Sequence, residues 1–129
     1  MYVDDDEALV RLAARVLQRY GYRVTGHSDP ERALEDFRAR PGEFDAVVTD
    51  MSMPVLSGPE FAAKVRAVRE QIPIVLVSGY VTQVDTEKAR NLGIDSVVQK
   101  PQTIHEFADM LRDRLDTPRF VETPRQLLT

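Results

Sequence analysis

Short apolar segments alternate along this chain with longer segments whose apolar residues recur at helical spacing. The apolar segments predict five strands, near residues 1–3, 23–27, 45–50, 72–78 and 96–99. The longer segments predict five helices, near residues 7–20, 30–37, 59–68, 83–92 and 104–115. Alternation of this kind is typical of a parallel sheet with helices on both faces. We therefore predict an α/β fold, a (βα)5 doubly wound sandwich around a five-stranded parallel sheet.

Net charge and composition narrow the class of protein. The chain has 129 residues, enough for one domain with a single core. It has 17 Lys and Arg against 21 Asp and Glu, and this net charge of −4 argues against direct binding of nucleic acid. No apolar run is long enough to span a membrane. The sequence has no cysteine, which fits a reducing compartment, so we expect a cytoplasmic protein.

Polar side chains follow four of the five predicted strands. They are Asp4, Asp5 and Asp6 after the first strand, Asp50 after the third, Ser78 after the fourth and Lys100 after the fifth. The second strand ends at His27, for which the sequence shows no evident partner. The working residues of a doubly wound sheet lie beyond the carboxyl ends of its strands. We therefore expect the carboxylates, the hydroxyl and the lysine to line one edge of the sheet.

This set of side chains indicates phosphoryl chemistry supported by a metal ion. Carboxylates gathered at one edge repel each other unless a cation lies between them. Oxygen ligands without imidazole or thiolate favour Mg²⁺. Lys100 and Ser78 are suited to bind phosphoryl oxygens, and a carboxylate can itself be the nucleophile that receives a phosphoryl group. Asp50, alone at its strand end, is the best candidate for that nucleophile.

Each of these residues, taken singly, also has a simpler explanation. An aspartate before a helix is most often a cap, and we prefer that explanation for Asp6. A single aspartate at a strand end is commonly a turn residue. Ser78 before a glycine is typical of a loop, and a lysine before a proline is typical of a surface. Together, these simpler explanations require four coincidences at strand ends.

Four motifs carry a resemblance to a known family. They are "VDDDE" near the start, "TDMSMPVLSG" at the third strand, "VLVSGY" at the fourth, and "QKP" before the last helix. In this order and spacing they make the sequence resemble a receiver domain of the two-component response-regulator family, whose fold is flavodoxin-like. The resemblance covers residues 1–115 and leaves residues 116–129 as a C-terminal extension or linker.

The resemblance implies a site for Mg²⁺. Asp5 would bind the ion directly and Asp4 mainly through water, because the family's acidic pair follows the last apolar strand residue, here Val3. Asp50 and the main-chain carbonyl of Ser52 would complete the protein ligands.

The resemblance also implies how the phosphoryl group is received and held. Asp50 would accept it from the phosphohistidine of a histidine kinase or a histidine phosphotransfer protein. Ser78 would hydrogen-bond to the phosphoryl group, Lys100 would pair with a phosphoryl oxygen, and Pro101 would follow a cis peptide bond. The domain would then be a phosphorylation-dependent switch and not an enzyme acting on an outside substrate, although it catalyses its own phosphorylation and dephosphorylation.

Two positions depart from the usual family pattern. Val97 stands three residues before the lysine, where the family usually has Tyr or Phe, and a valine cannot swing between exposed and buried positions as that ring does. Tyr80 is a candidate substitute. Ser52 and Tyr80 also occupy the two positions that tune attack of water on the acyl phosphate. We expect the bulk of Tyr80 to hinder water and to lengthen the lifetime of the phosphorylated state.

Two other functions stay open at this point. Val97 favours a protein-interaction module that has the receiver fold but works without phosphorylation. A phosphatase or phosphotransferase acting on a separate substrate requires a general acid two residues after Asp50, where Ser52 stands. We expect the chain to be part of a longer protein, with a hybrid sensor histidine kinase favoured over a stand-alone receiver. The sequence leaves open the output partner and whether the chain forms a homodimer.

Overall fold

Five parallel strands form the centre of the molecule. The computed structural model describes residues 1–79, 83–94 and 96–99, together with residues 106, 109, 112, 113 and 115. The strands are β1 (Tyr2–Val3), β2 (Gly26–His27), β3 (Val47–Asp50), β4 (Ile74–Ser78) and β5 (Ser96–Gln99). They pair in the order β2-β1-β3-β4-β5. This order confirms the predicted α/β fold with a doubly wound parallel sheet.

Helices follow the strands in sequence. They are α1 (Glu7–Arg19), α2 (Pro30–Ala39), α3 (Gly58–Val68) and α4 (Gln83–Asn91), with a short 3-10 turn at Pro41–Glu43. Residues 106, 109, 112, 113 and 115 are helical, in the segment where the sequence predicts the last helix. The other residues of the predicted last helix and the predicted extension, residues 116–129, lie outside the described part of the chain. None of the helices in the described part of the chain is long and apolar enough to cross a membrane.

The first two strands are shorter than predicted. β1 pairs with β2 through two residues only, Tyr2 with Gly26 and Val3 with His27. The main-chain N–H of Tyr2 also donates to the carbonyl oxygen of Thr25, at 2.9 Å. Because β1 offers two paired residues, the earlier part of the predicted strand at 23–27 has no ladder to join. The length of β2 is therefore set by its neighbour and not by its own sequence.

The ends of α1 follow the capping signals in the sequence. The Asp6 carboxylate accepts from the main-chain N–H of Leu9 at 3.2 Å, which satisfies one free donor of the first turn. At the other end, Gly21 has a φ of +96°, in the left-handed region that terminates helices and favours glycine. Asp6 is thus a helix cap, as predicted.

The core lies on both faces of the sheet. One cluster packs α2 and α3 against the sheet, with Phe37, Phe61 and Val65 fully buried. The second cluster packs α1 against the opposite face. Successive residues of β4 divide between them: Ile74 and Leu76 belong to the first cluster, and Val75 and Val77 to the second. This explains why the fourth strand has no polar alternation: both of its faces are covered.

A contact at the C-terminal end of α1 joins that helix to the last helical segment. The Tyr20 hydroxyl donates to the Asp109 carboxylate, and the guanidinium carbon of Arg112 lies 4.7 Å from the centre of the Tyr20 ring. The hydrogen bond raises the pKa of Tyr20 above its usual range. In the same region Leu115 is half-buried and packs against the core cluster of α1, in line with the predicted inward face.

His27 has a partner that the sequence did not reveal. Its Nε2 atom lies 2.9 Å from Oδ2 of Asp36, on α2. Arg40 donates to the same carboxylate from Nε at 2.7 Å and from Nη2 at 3.0 Å. The hydrogen bonds from Arg40 and then from His27 lower the pKa of Asp36 to about 2. The sequence showed no evident partner for His27, because this pairing forms only when the turn from β2 brings α2 beside the strand.

Candidate functional site

Three carboxylates meet at the carboxyl edge of the sheet. Oxygen atoms of Asp4, Asp5 and Asp50 all lie within 4.8 Å of one another. The Asp4 and Asp50 side chains are buried, with 2% and 8% exposed, while Asp5 is exposed. The strand-end argument from the sequence therefore selects the right residues for this cluster.

Strand register explains why these carboxylates meet. Val3 of β1 is the Cα partner of Thr49 in β3, so the residues that follow them, Asp4 and Asp50, come side by side. The Asp4 carboxylate accepts from the main-chain N–H of Asp6 at 2.9 Å. That hydrogen bond fixes Asp4 at the turn between β1 and α1.

The donor atoms of this cluster fit Mg²⁺. Three carboxylates in such a small space, two of them buried, carry a repulsion that a divalent cation relieves. All the side-chain donors are hard oxygen atoms, which suit Mg²⁺ better than a soft metal. The exposed Asp5 leaves one side open to solvent, and Mg²⁺ usually keeps several of its waters. Asp6 caps α1 instead, which agrees with the choice of Asp4 and Asp5 as the acidic pair.

The other predicted site residues divide into described and undescribed positions. Ser78 is buried at the end of β4, one residue after Val77, the Cα partner of Asp50. Ser52 is exposed in the segment after β3. Val97 is half-buried in β5 and packs against the core cluster of α2 and α3. Three further predicted residues, Tyr80, Lys100 and Pro101, lie outside the described part of the chain.

Comparison with known proteins decides the family. The chain matches the response regulator receiver domain family over residues 1–112. It belongs to that family. This receiver domain is 31% identical to sensor kinase CckA of Brucella abortus over 119 residues, 90% of this chain and 12% of that protein. It is 30% identical to sensory transduction protein RegX3 of Mycolicibacterium smegmatis over 112 residues, 87% of this chain and 48% of that protein.

Solved structures agree with this assignment. The receiver domain superposes on chemotaxis protein CheY4 of Vibrio cholerae with a TM-score of 0.76 and 26% identity, covering 86% of this chain and 92% of that one. The curated relatives are longer: the chain spans about half of RegX3 and about an eighth of CckA. The similarity therefore concerns the receiver domain of those proteins and not their remaining parts.

The segment between β3 and α3 of this receiver domain folds back on itself. The main-chain N–H of Gly58 donates to the carbonyl oxygen of Met51 at 2.9 Å. The main-chain N–H of Met51 donates to the carbonyl oxygen of Val77, in β4, at 2.7 Å. The side chains of Met51, Met53 and Leu56 are buried in the core cluster of α2 and α3. The segment is thus held by both the sheet and the core.

A strained turn lies in the same segment. The main-chain N–H of Leu56 donates to the carbonyl oxygen of Pro54 at 2.7 Å, which makes a γ-turn centred on Val55. Val55 has a φ of +71°, unusual for a β-branched residue, and its side chain is 83% exposed. The sequence gives no signal for this turn, because glycine or asparagine is the usual residue at such a φ.

Tyr2, two residues before Asp4, is a buried phenol close to the acidic cluster. Burial raises the pKa of the Tyr2 hydroxyl well above its usual range, and the negative charges of Asp4 and Asp50 raise it further. Tyr2 is therefore neutral near neutral pH, and it adds no charge to the site.

Proposed function

We propose that this receiver domain is the phosphoacceptor of a two-component phosphorelay, with Asp50 as the residue that is phosphorylated. The observation that carries the proposal is the meeting of Asp4, Asp5 and Asp50 within 4.8 Å at the carboxyl edge of the sheet. Asp50 is the member of this cluster that lies on a central strand, paired on both sides. A nucleophile held by a rigid sheet needs little reorganisation when it reacts.

The proposed reaction transfers one phosphoryl group to a carboxylate. An Oδ atom of Asp50 attacks the phosphorus of a phosphohistidine, and the P–N bond breaks as the new O–P bond forms. The histidine nitrogen leaves with the electron pair of that bond and takes up a proton from solvent. The switch returns to its unphosphorylated state by hydrolysis. Water attacks the phosphorus, inorganic phosphate is released and the carboxylate of Asp50 is restored.

The chain's own residues then hold the reacting groups. Asp4, Asp5, Asp50 and the main-chain carbonyl of Ser52 would hold Mg²⁺, with Asp4 acting mainly through water. The bound ion supplies positive charge to the phosphoryl oxygens. Ser78 would donate a hydrogen bond to one phosphoryl oxygen and Lys100 would pair with another.

Two features bear on how long the phosphorylated state lasts. The Asp50 side chain is 8% exposed, so few directions are open to an attacking water. We propose that the bulk of Tyr80 blocks one of the directions from which water could attack the phosphoryl group. Replacing Tyr80 with Ala is then expected to speed dephosphorylation, measured as loss of the phosphoryl adduct over time. An unchanged rate, with Val84→Ala on α4 as the control, would remove Tyr80 from the mechanism.

The phosphorylated state would act by changing a surface that a partner reads. A histidine kinase or histidine phosphotransfer protein is the proposed donor. Similarity to sensor kinase CckA supports a place in a hybrid sensor histidine kinase, which implies a cytoplasmic setting for this domain. The second candidate function is an interaction module that works without phosphorylation. Val97 favours this second function, because a half-buried valine stands where the family usually has the Tyr or Phe ring that moves on phosphorylation.

Intact-mass analysis after incubation with acetyl phosphate tests the proposal. We expect one phosphoryl adduct that requires Mg²⁺ and is absent from Asp50→Asn. Asp45→Asn is the matched control, because Asp45 is an exposed aspartate just before the same strand. A folded protein that binds Mg²⁺ and forms no adduct would favour the interaction module instead.

A further inference from the structure

Two residues with no assigned role act on the main chain of Asp50. We propose that Gly58 and Thr49 are positioning residues, which clamp the carbonyl group of Asp50 and so fix where its carboxylate stands. The inference deepens the proposed phosphoacceptor function and rests on it. Neither residue contacts the phosphoryl group in this proposal, and both act through the backbone of Asp50.

Gly58 provides one side of the clamp. A Cβ atom placed on Gly58 would lie 2.2 Å from the carbonyl oxygen of Asp50 and 2.9 Å from Cα of Met51. Any side chain there would push the start of α3 away from the end of β3. Gly58 is therefore required by close approach, and its N–H bond to Met51 holds the two segments together.

Thr49 provides the other side of the clamp. It is fully buried in β3, between its cross-strand partners Val3 of β1 and Leu76 of β4. Its hydroxyl donates to the carbonyl oxygen of Asp50 at 3.2 Å. A valine of the same shape would fill the space in the core equally well, so the hydroxyl is what the clamp adds.

The turn at Val55 supports the inference from a separate direction. The chain between Met51 and Gly58 closes by a hydrogen bond and places Val55 at a φ of +71°. A β-branched residue adopts that φ only when the surroundings determine it. The close approach of Gly58 to Asp50 is thus maintained against the local preference of the backbone.

The chemical consequence follows from the geometry of in-line transfer. The Asp50 carboxylate has to serve both as nucleophile and as a metal ligand beside Asp4 and Asp5. A displacement of a reacting group by about 1 Å lowers rates by as much as ~100-fold. Releasing the clamp is therefore expected to slow phosphorylation and to weaken Mg²⁺ binding, even when the fold is intact.

The first test compares two glycines at which an added methyl group collides with a neighbour, the main chain of Asp50 at Gly58 and a side chain at Gly26. Gly58→Ala places a methyl group against Asp50, and Gly26→Ala places one 2.5 Å from the Val10 side chain, away from the carboxylates. The Tm values of both variants show how far each substitution disturbs the fold. We expect the phosphorylation rate with acetyl phosphate at saturating Mg²⁺ to fall by about tenfold or more in Gly58→Ala. In Gly26→Ala we expect it to stay near the wild-type rate.

The second test separates the hydroxyl of Thr49 from the volume of its side chain. Thr49→Val removes the hydroxyl, and we expect the phosphorylation rate to fall by about fivefold, the effect of one lost hydrogen bond. Thr49→Ser retains the hydroxyl but removes a buried methyl group. We expect its phosphorylation rate to stay close to that of the wild type. This pair carries the test even if Gly58→Ala fails to fold.

A metal titration separates this inference from the proposed function. Binding of Mg²⁺ alone, followed by NMR through the amide of Met51, is expected to weaken in Gly58→Ala and not in Gly26→Ala. If wild-type protein forms no adduct, the phosphoacceptor function fails, and this titration still decides the clamp. Equal effects of Gly58→Ala and Gly26→Ala on Mg²⁺ affinity, or no effect of either, would overturn it. So would Thr49→Val with wild-type rate and affinity.

Discussion

His27 and Asp36 join the end of β2 to α2, with 2.9 Å between Nε2 and Oδ2. Together with Arg40, this contact lowers the pKa of Asp36 to about 2, below the value of about 3.9 expected in an unfolded chain. The folded-state pKa is the lower one, so the carboxylate contributes stability above about pH 4, and that contribution is lost as the pH falls through about 2.

The prediction concerns acid unfolding of Asp36→Asn. At neutral pH this variant is expected to be less stable than wild type, and the difference should shrink between about pH 4 and about pH 2. Urea unfolding at a series of pH values measures it. Glu35→Gln, at an exposed position on the same helix, is the control. A constant difference across the pH range would mean that the ion pair does not set the pKa of Asp36.

Replacing Val55 with Asn is expected to stabilise the domain. Asparagine tolerates a φ of +71° far better than valine, and Val55 is 83% exposed, so little packing is lost. We expect a gain of about 0.5–1 kcal/mol in the free energy of unfolding. Val68→Asn, at a partly exposed valine on α3, is not expected to stabilise. A loss of stability in Val55→Asn would show that the valine side chain has a contact that outweighs the strain.

Mg²⁺ is expected to stabilise the folded domain through the acidic cluster. At one hundred times its Kd, a ligand that binds only the native state adds about 2.7 kcal/mol. Thermal unfolding with and without Mg²⁺ measures this as a rise in Tm. The rise should be much smaller in Asp5→Asn and unchanged in Asp6→Asn, because asparagine caps α1 as well as aspartate does. Without metal, Asp5→Asn should be more stable than wild type, since one of three adjacent negative charges is gone.

The start of α3 depends on a reciprocal pair of hydrogen bonds. The Ser57 hydroxyl accepts from the N–H of Glu60 at 3.2 Å, and the Glu60 carboxylate accepts from the N–H of Ser57 at 3.3 Å. Ser57→Ala is expected to lower the free energy of unfolding by about 1 kcal/mol, and Ser57→Asp to retain it. Chemical unfolding of the two variants compares them. Equal losses would indicate that the hydroxyl acts elsewhere than at the cap.

Periodicity and strand ends predicted the sheet and the acidic cluster well. β5 was predicted at the residues where it occurs, and Asp4, Asp5 and Asp50 meet as expected, since parallel strands deliver their carboxyl ends to one edge. These features depend on local pattern and on one topological rule. The sequence was therefore sufficient for them.

The loop after β3 was beyond prediction for a physical reason. The sequence does not show that Gly58 is needed for close approach to Asp50, or that the positive φ of this segment falls on Val55. Both facts result from how tightly α3 packs against the end of β3, which is a tertiary property. The His27–Asp36 pair is of the same kind, because it forms only after α2 docks beside β2.

The unequal lengths of the strands have a consequence for local opening of the site. β3 is hydrogen-bonded over four residues to β4, whereas β1 pairs with each of its neighbours over only two. Amide hydrogens near Asp50 are thus expected to exchange with solvent only on global unfolding, and those around Asp4 and Asp5 through smaller, more frequent openings. Asp50 is then held in place for as long as the protein stays folded. The segment with Asp4 and Asp5 is expected to open and close locally many times in that period.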